Sequence, residues 1–129
     1  FDLIFIDGLH LHEQVLKDID NSLNVLNESG VILLHDCLPA KIWHQTIPQT
    51  HSSWNGDVWK SIVQSRTRED IDTYTIKADQ DLGLILKRKN RDILVHQIDN
   101  FKDLKFEDYY KHHEKFMRLV DEDKFLEII

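Results

Sequence analysis

Long apolar runs, an excess of basic charge and paired cysteines are all missing from this sequence of 129 residues. Apolar runs such as Val31–Leu34 are far too short to cross a bilayer, so we expect no membrane partner. Acidic residues outnumber basic ones by 23 to 16, which argues against nucleic acid or an anionic membrane as the main partner. Cys37 is the only cysteine, so no internal disulfide can form, and a reducing, cytoplasmic location is predicted.

The remaining composition is that of an ordinary globular domain. Hydrophobic residues make up 41% and charged residues 30%, and the length suffices for one domain with its own core. We predict an α/β unit over residues 1–90 and a helical extension over residues 91–129, which packs on that unit or on a partner.

The first 36 residues have the pattern of a βαβ unit. Leu3–Ile6 is a short apolar run typical of a strand that is covered on both faces of a parallel sheet. A helix with one apolar face follows, and Gly30 is suited to the left-handed turn after its end. Val31–Leu34 is a second buried strand. The apolar face of the helix comprises Val15, Leu16, Ile19, Leu23 and Leu26.

One more helix and two more strands are predicted in the middle of the chain. Asp57 is a candidate cap for a helix that continues through Val63. The alternating, β-branched residues 71–76 indicate a strand, and a turn at 79–81 joins it to a strand at Leu82–Leu86. Such a short connection makes these two strands antiparallel neighbours.

Weaker patterns indicate a helical turn at 41–44, a short strand at 93–95 and a last helix within residues 125–129. The tail also contains a longer amphipathic helix. Its apolar face is predicted to comprise Phe106, Tyr109, Tyr110, His113, Met117 and Val120.

Polar clusters follow the two strands of the βαβ unit. Asp7, Gly8 and His10 come after the first strand, and His35 and Asp36 come after the second. Parallel strands end at the same edge of a sheet, which is where open α/β sheets bind ligands. The convergence of carboxylates and imidazoles predicts a divalent-metal or acid–base site. The alternative is structural, with each aspartate capping a turn and each histidine bonded to backbone.

These segments, in this order, resemble class I S-adenosylmethionine-dependent methyltransferases. The resemblance is to the fourth strand, fourth helix and fifth strand, in the small-molecule and sugar O-methyltransferase branch with IDG-x-H and H-D motifs. Residues 56–63 and 81–86 are similar to the next helix and to the closing hairpin. The matching segments are Phe1-Asp2-Leu3-Ile4-Phe5-Ile6-Asp7-Gly8-Leu9-His10 and Leu26-Asn27-Glu28-Ser29-Gly30-Val31-Ile32-Leu33-Leu34-His35-Asp36.

The resemblance implies a partial Rossmann-like sheet, with strands equivalent to 4-5-7-6 of the family order 3-2-1-4-5-7-6 and strand 7 antiparallel. It also implies methyl transfer from S-adenosylmethionine to a hydroxyl of a small molecule or sugar. Asp7 and Asp36 match positions that hold Mg²⁺, and Asp7 and Gly8 lie on the cofactor side. His10 and His35 match candidates for the catalytic base, whereas Cys37 stands where some relatives carry an amide ligand.

The family's glycine-rich cofactor loop and its ribose-binding acidic residue have no counterpart here. The only glycines are Gly8, Gly30, Gly56 and Gly83, and none is in a G-x-G setting. We therefore expect a chain that begins after the first half of the domain and lacks a complete cofactor pocket. Its first strand would then be an exposed apolar edge, which predicts a homo-oligomer formed through that edge or through the tail helix.

Two other functions are compatible with the sequence. The chain can be a non-catalytic folded fragment that serves as an oligomerisation module. It can also be a metal-dependent phosphohydrolase, because H-D pairs occur in such sites, although His35 and Asp36 follow a strand rather than lie on a helix.

Overall fold

A mixed five-stranded sheet forms the centre of the protein, which was analysed as a computed structural model that describes residues 1–78 and 81–129. The strands are β1 (Leu3–Ile6), β2 (Val31–Leu34), β3 (Asp72–Lys77), β4 (Leu82–Leu86) and β5 (Leu119–Asp121). The α-helices are α1 (His12–Val25), α2 (Val58–Ser65), α3 (Phe106–Met117) and α4 (Phe125–Ile128). Short 3₁₀ turns occupy Ile42–His44, Phe101–Asp103 and Glu122–Lys124.

The order of the strands confirms the predicted topology. The sheet runs β1-β2-β4-β3-β5, with β1 parallel to β2 and with β4 antiparallel to both of its neighbours. The first four strands thus reproduce the order 4-5-7-6 with the expected antiparallel strand. β5 is an addition that the sequence did not predict, and it pairs in parallel with β3.

The main core lies between the sheet and helices α1, α2 and α3. Ile19 of α1, Ile62 of α2 and Phe116 of α3 are fully buried in it, and Ile32 and Ile85 meet them from the sheet. A smaller apolar cluster covers the opposite face around β3 and β4, where α4 packs. The helical segments of the tail therefore contact the same sheet as the rest of the chain.

Several details differ from the predictions. Residues 93–95 form no strand, because the Leu94 N–H donates to the carbonyl of Arg66 instead of a neighbouring strand. The pattern placed Tyr110 on the buried face of α3, but this residue is 75% exposed. Phe116 is buried on that face instead. Asp57 precedes α2 but makes no side-chain cap; its Oδ1 accepts from the His12 N–H. Of the predicted turn at 79–81, residues 79 and 80 lie outside the described part of the chain.

β1 is less covered than a strand inside a parallel sheet. Leu3 is 56% exposed and Phe5 is 53% exposed, so the expectation of cover on both faces is wrong for this strand. Among the described residues, no strand pairs with the edge of β1 that faces away from β2.

A buried carboxylate ties the tail to the sheet. Asp72 of β3 is fully buried and accepts from Arg118 Nη1 at 2.6 Å and from Arg88 Nε at 2.9 Å. Arg88 also donates to the carbonyl of Ile128. Burial opposes ionisation of Asp72, but the hydrogen bonds from the two guanidinium groups outweigh it and lower its pKa.

None of the helices in the described ranges is long and apolar enough to span a bilayer.

Candidate metal and acid–base site

The two polar clusters predicted from the sequence meet at the carboxyl edge of the sheet. Asp7 directly follows β1, and His35 and Asp36 directly follow β2, which lies parallel and adjacent to it. His10 Nε2 is 3.5 Å from Asp7 Oδ1 and 3.2 Å from Asp36 Oδ2. His35 Nδ1 is 3.6 Å and 3.0 Å from the same two oxygens. All four side chains thus converge, as the strand register predicts.

Asp36 is the buried anchor of the site. The residue is 5% exposed and adopts a left-handed backbone conformation with φ of 61°, which turns the chain away from the end of β2. Its Oδ1 accepts a 2.8 Å hydrogen bond from Asn55 Nδ2. This bond fixes the carboxylate and leaves Oδ2 directed at His10 and His35.

The tautomer of neutral His10 is set by Trp54, in the segment between β2 and α2. His10 Nδ1 lies 3.2 Å from the carbonyl oxygen of Trp54, and the two rings stack with centroids 5.5 Å apart. A carbonyl oxygen only accepts, so the hydrogen is on Nδ1 and the lone pair of the neutral ring is on Nε2. That lone pair faces the carboxylates of Asp7 and Asp36, so the three side chains direct possible metal-ligand atoms toward one another.

Gly56 allows this segment to approach His10 closely. Its φ is +62°, and a Cβ at this position would lie 1.8 Å from the carbonyl oxygen of His10. The same oxygen accepts from the N–H of Asp57 at 3.2 Å. The Asn55-Gly56 turn therefore holds both the backbone of His10 and the carboxylate of Asp36.

Three of the residues have the donor atoms and spacing of a metal site. Asp7, His10 and Asp36 each offer one ligand atom, and these atoms lie within 4.8 Å of one another. Asp7 is the accessible member, with 46% of its side chain exposed, whereas 7% of the Asp36 side chain is exposed. His35 is not part of this three-residue set, although it contacts both carboxylates.

The remaining sequence candidates differ in accessibility. Gly8 is exposed, and a Cβ there would meet only Asp18 Oδ2, at 3.8 Å. Cys37 is fully buried, and burial raises the pKa of its thiol, which disfavours the thiolate that a metal would require. The amide next to the carboxylates is instead supplied by Asn55, from a different part of the chain.

Sequence reasoning missed Asn55 and the role of Trp54. The available signal was the Asn55-Gly56 dipeptide, which is typical of a turn that needs positive φ. Nothing in the sequence indicated that this turn would lie 19 residues beyond Asp36 and yet contact it, because that proximity depends on how α2 packs against α1.

A cavity of about 290 Å³ is lined in part by Leu9 and Leu11, the residues on either side of His10 in the sequence. Leu9, Leu11 and Ile47 contribute apolar walls, and His12 and Lys102 are among its polar lining residues. Burial lowers the pKa of His12, and its Nε2 is bonded to the side chain of Gln64. The cavity therefore combines apolar walls with polar side chains, and the four side chains of the site are not among its lining residues.

Comparison with known proteins gives one match. Residues 1–37 match the model of a family described as a methyltransferase domain, and this segment comprises β1, α1 and β2. No curated protein and no solved structure matches the chain. The matched segment contains all four side chains of the site, Asp7, His10, His35 and Asp36. Over its first 37 residues the chain is thus similar to methyltransferase domains, and its partial Rossmann-like α/β fold agrees with that similarity.

Proposed function

We propose that the protein acts in S-adenosylmethionine-dependent methylation of a hydroxyl group on a small molecule or sugar. The observation that carries this proposal is that the segment matching a methyltransferase domain is the segment that builds the site. When bound, S-adenosylmethionine supplies an electrophilic methyl group, whose transfer breaks the carbon–sulfur bond and leaves the electron pair on sulfur.

His10 is the residue best placed to take the proton of the acceptor hydroxyl. Its Nδ1–H is held by the carbonyl of Trp54, so Nε2 has the free lone pair that a general base needs. The carboxylates of Asp7 and Asp36 lie 3.5 Å and 3.2 Å from that nitrogen and stabilise the imidazolium that results. His35, beside Asp36, is the second candidate for this role.

A divalent metal is the proposed alternative occupant of the space between these groups. When bound, such an ion favours the deprotonated form of an acceptor hydroxyl and holds it in place. The oxygens of Asp7 and Asp36 suit Mg²⁺ or Mn²⁺, whereas the nitrogen of His10 suits Zn²⁺ or Fe²⁺ better. The residues thus fit a divalent ion, with Asp7, Asp36 and His10 as the side chains that would hold it.

The cavity lined by Leu9, Leu11 and His12 is the proposed acceptor pocket. At about 290 Å³ it lies near the lower end of the range for small-molecule pockets. Its apolar walls suit a small ring, and the exposed Lys17 and Lys102 at its rim suit polar substituents.

We also propose that the protein acts in the cytoplasm, because the lone, buried Cys37 has no disulfide to form.

Calorimetric titration of the chain with S-adenosylmethionine, with and without Mn²⁺ or Mg²⁺, tests the proposal. Micromolar binding, together with transfer of a labelled methyl group to a vicinal diol or a hexose, would support the proposal and would overturn the expectation that this chain lacks a complete cofactor pocket. Asp36→Ala should abolish metal binding and transfer, whereas Asp99→Ala, at an exposed aspartate, should leave both unchanged.

A folded, metal-loaded chain that binds no S-adenosylmethionine would overturn the proposal and favour the non-catalytic module. Hydrolysis of a generic phosphate ester that is lost in Asp7→Ala would favour the phosphohydrolase. His10→Ala separates the two roles of His10, with His51→Ala as the exposed control. If metal affinity persists while transfer falls, His10 acts as the base rather than as a ligand.

A further inference from the structure

The loop of residues 42–53 is fastened to the segment that follows it at two points. One is His44, whose carbonyl accepts from two successive backbone N–H groups, at 2.6 Å and 3.0 Å. The other is Thr46, whose carbonyl accepts from the indole Nε1–H of Trp54 at 2.7 Å. The remaining hydrogen bonds of the loop, within the described part of the chain, are local and join residues at most four positions apart. The indole of Trp54 is therefore the last anchor before residues 47–53, which are all exposed.

The same tryptophan contacts His10 in two ways. Its carbonyl oxygen lies 3.2 Å from His10 Nδ1, and its ring stacks on the imidazole with centroids 5.5 Å apart and an interplanar angle of 26°. The contact through the carbonyl is open to any residue at this position, whereas the stacking and the indole bond require the side chain of Trp54. One rigid side chain thus joins His10 to the anchor of the loop at Thr46.

The loop and the neighbours of His10 border the same cavity. Ile47, the residue after Thr46, provides one apolar wall. Leu9 and Leu11, which flank His10 in the sequence, provide two more. Ile47 is 52% exposed, so packing contributes little to holding it in place. The position of this wall therefore depends on the anchor at Thr46.

We propose that Trp54 is a positioning residue that holds the cavity wall at Ile47 in a fixed place relative to His10. This role rests on the proposed function, in which the cavity receives the acceptor and His10 takes the proton of its hydroxyl. The indole bond fixes the wall, and the stacked ring limits the rotation of the imidazole. Fixing both groups in advance lowers the entropic cost of bringing an acceptor hydroxyl to the base.

Two substitutions separate the two contacts of the Trp54 side chain. Trp54→Phe removes the bond to Thr46 but keeps a ring over His10, whereas Trp54→Leu removes both contacts. Trp43→Phe is the matched control, since Trp43 lies in the same loop and its ring contacts those of His44 and His51 rather than that of His10.

NMR of isoleucine methyl groups and histidine rings reads both contacts without metal or cofactor. Trp54→Phe should shift and narrow the Ile47 methyl signal as the wall becomes mobile, and it should leave the His10 ring protons shifted by the stacked ring. Trp54→Leu should change both signals, and the His10 protons are identified by their absence in His10→Ala. Ile19 and Ile62, which are fully buried, should keep their signals and so separate a local change from unfolding. An unmoved Ile47 signal in Trp54→Phe, or unmoved His10 protons in Trp54→Leu, would overturn the proposal.

Kinetics with the vicinal diol or hexose that accepts the methyl group extends the test to function. Trp54→Phe should raise KM about fivefold with little change in kcat, because it releases the wall and leaves His10 stacked. Trp54→Leu should in addition lower kcat by roughly 10- to 100-fold, because the base is no longer held in place. An unchanged KM in Trp54→Phe refutes the positioning role. If no acceptor is methylated, it is the proposed function that fails, and the NMR signals then decide by themselves whether Trp54 links the wall to His10.

Discussion

Replacing Gly56 with alanine should damage both the stability of the protein and the geometry of the site. Gly56 has a φ of +62°, a region in which an L-residue other than glycine is strained by about 1–2 kcal/mol. The larger effect is steric. The new Cβ of residue 56 would lie close to three atoms of His10: 1.8 Å from the carbonyl oxygen, 2.7 Å from the Cβ and 2.8 Å from the carbonyl carbon.

The clash cannot be relieved by rotating a side chain, because two of the three atoms belong to the backbone. Ordinary carbon contacts begin above 3.4 Å, so the turn and residue 10 must separate by more than 1 Å. This separation breaks the bond from the Asp57 N–H to His10 and pulls Asn55 away from Asp36. Together with the strain at φ, we expect a loss of about 3–5 kcal/mol in the free energy of unfolding.

Urea denaturation followed by tryptophan fluorescence measures this loss, and Mn²⁺ titration of the folded variant measures the displacement of His10. Gly8→Ala is the matched control, since its Cβ would meet nothing closer than 3.8 Å and should change stability by less than about 0.5 kcal/mol. Gly30→Ala should be intermediate, because its closest neighbour is the movable side chain of Leu26, at 2.7 Å. Equal stability of the Gly56 and Gly8 variants would refute the argument that this turn is held against His10.

Three further predictions concern the polar network. Asp72→Asn should cost about 3–5 kcal/mol in chemical denaturation by removing the buried negative charge that pairs with Arg118 and Arg88. Because the pKa of Asp72 is lowered on folding, its contribution is present above its unfolded pKa of about 3.9 and is lost as the pH falls through the folded value. Asn55→Ala should weaken Mn²⁺ binding roughly 10- to 100-fold in calorimetry by freeing Asp36, whereas unchanged affinity would exclude that positioning role. Burial lowers the pKa of His12 in the folded state below its unfolded value near 6.5. The contribution of neutral His12 to stability is therefore fully present above pH 6.5, and stability falls as the pH drops below that value. His12→Phe should flatten this part of the profile of stability against pH, measured by denaturation.

The βαβ unit and the closing hairpin were predictable because their signals are local. The apolar runs Leu3–Ile6 and Leu82–Leu86 became strands with the bounds that the pattern gives. Their order in the sheet followed from the family resemblance. β5 was not predictable, since its three residues carry no strand pattern and its pairing with β3 joins residues more than 40 positions apart in the chain.

The site residues likewise fall into those that the sequence predicted and those that it did not. Asp7, His10, His35 and Asp36 were predictable because each follows a parallel strand in sequence, and adjacent strand ends are necessarily close in space. Asn55 and Trp54 were not, because their segment reaches the site through a backbone approach that Gly56 permits.

The sequence by itself determined the first four strands of the sheet and which polar groups meet at its edge, since both follow from apolar periodicity and strand direction. The tertiary structure decided which nitrogen of neutral His10 carries the hydrogen and how Asp36 is oriented. These properties depend on contacts between residues far apart in the chain, and no local pattern encodes the distance between them.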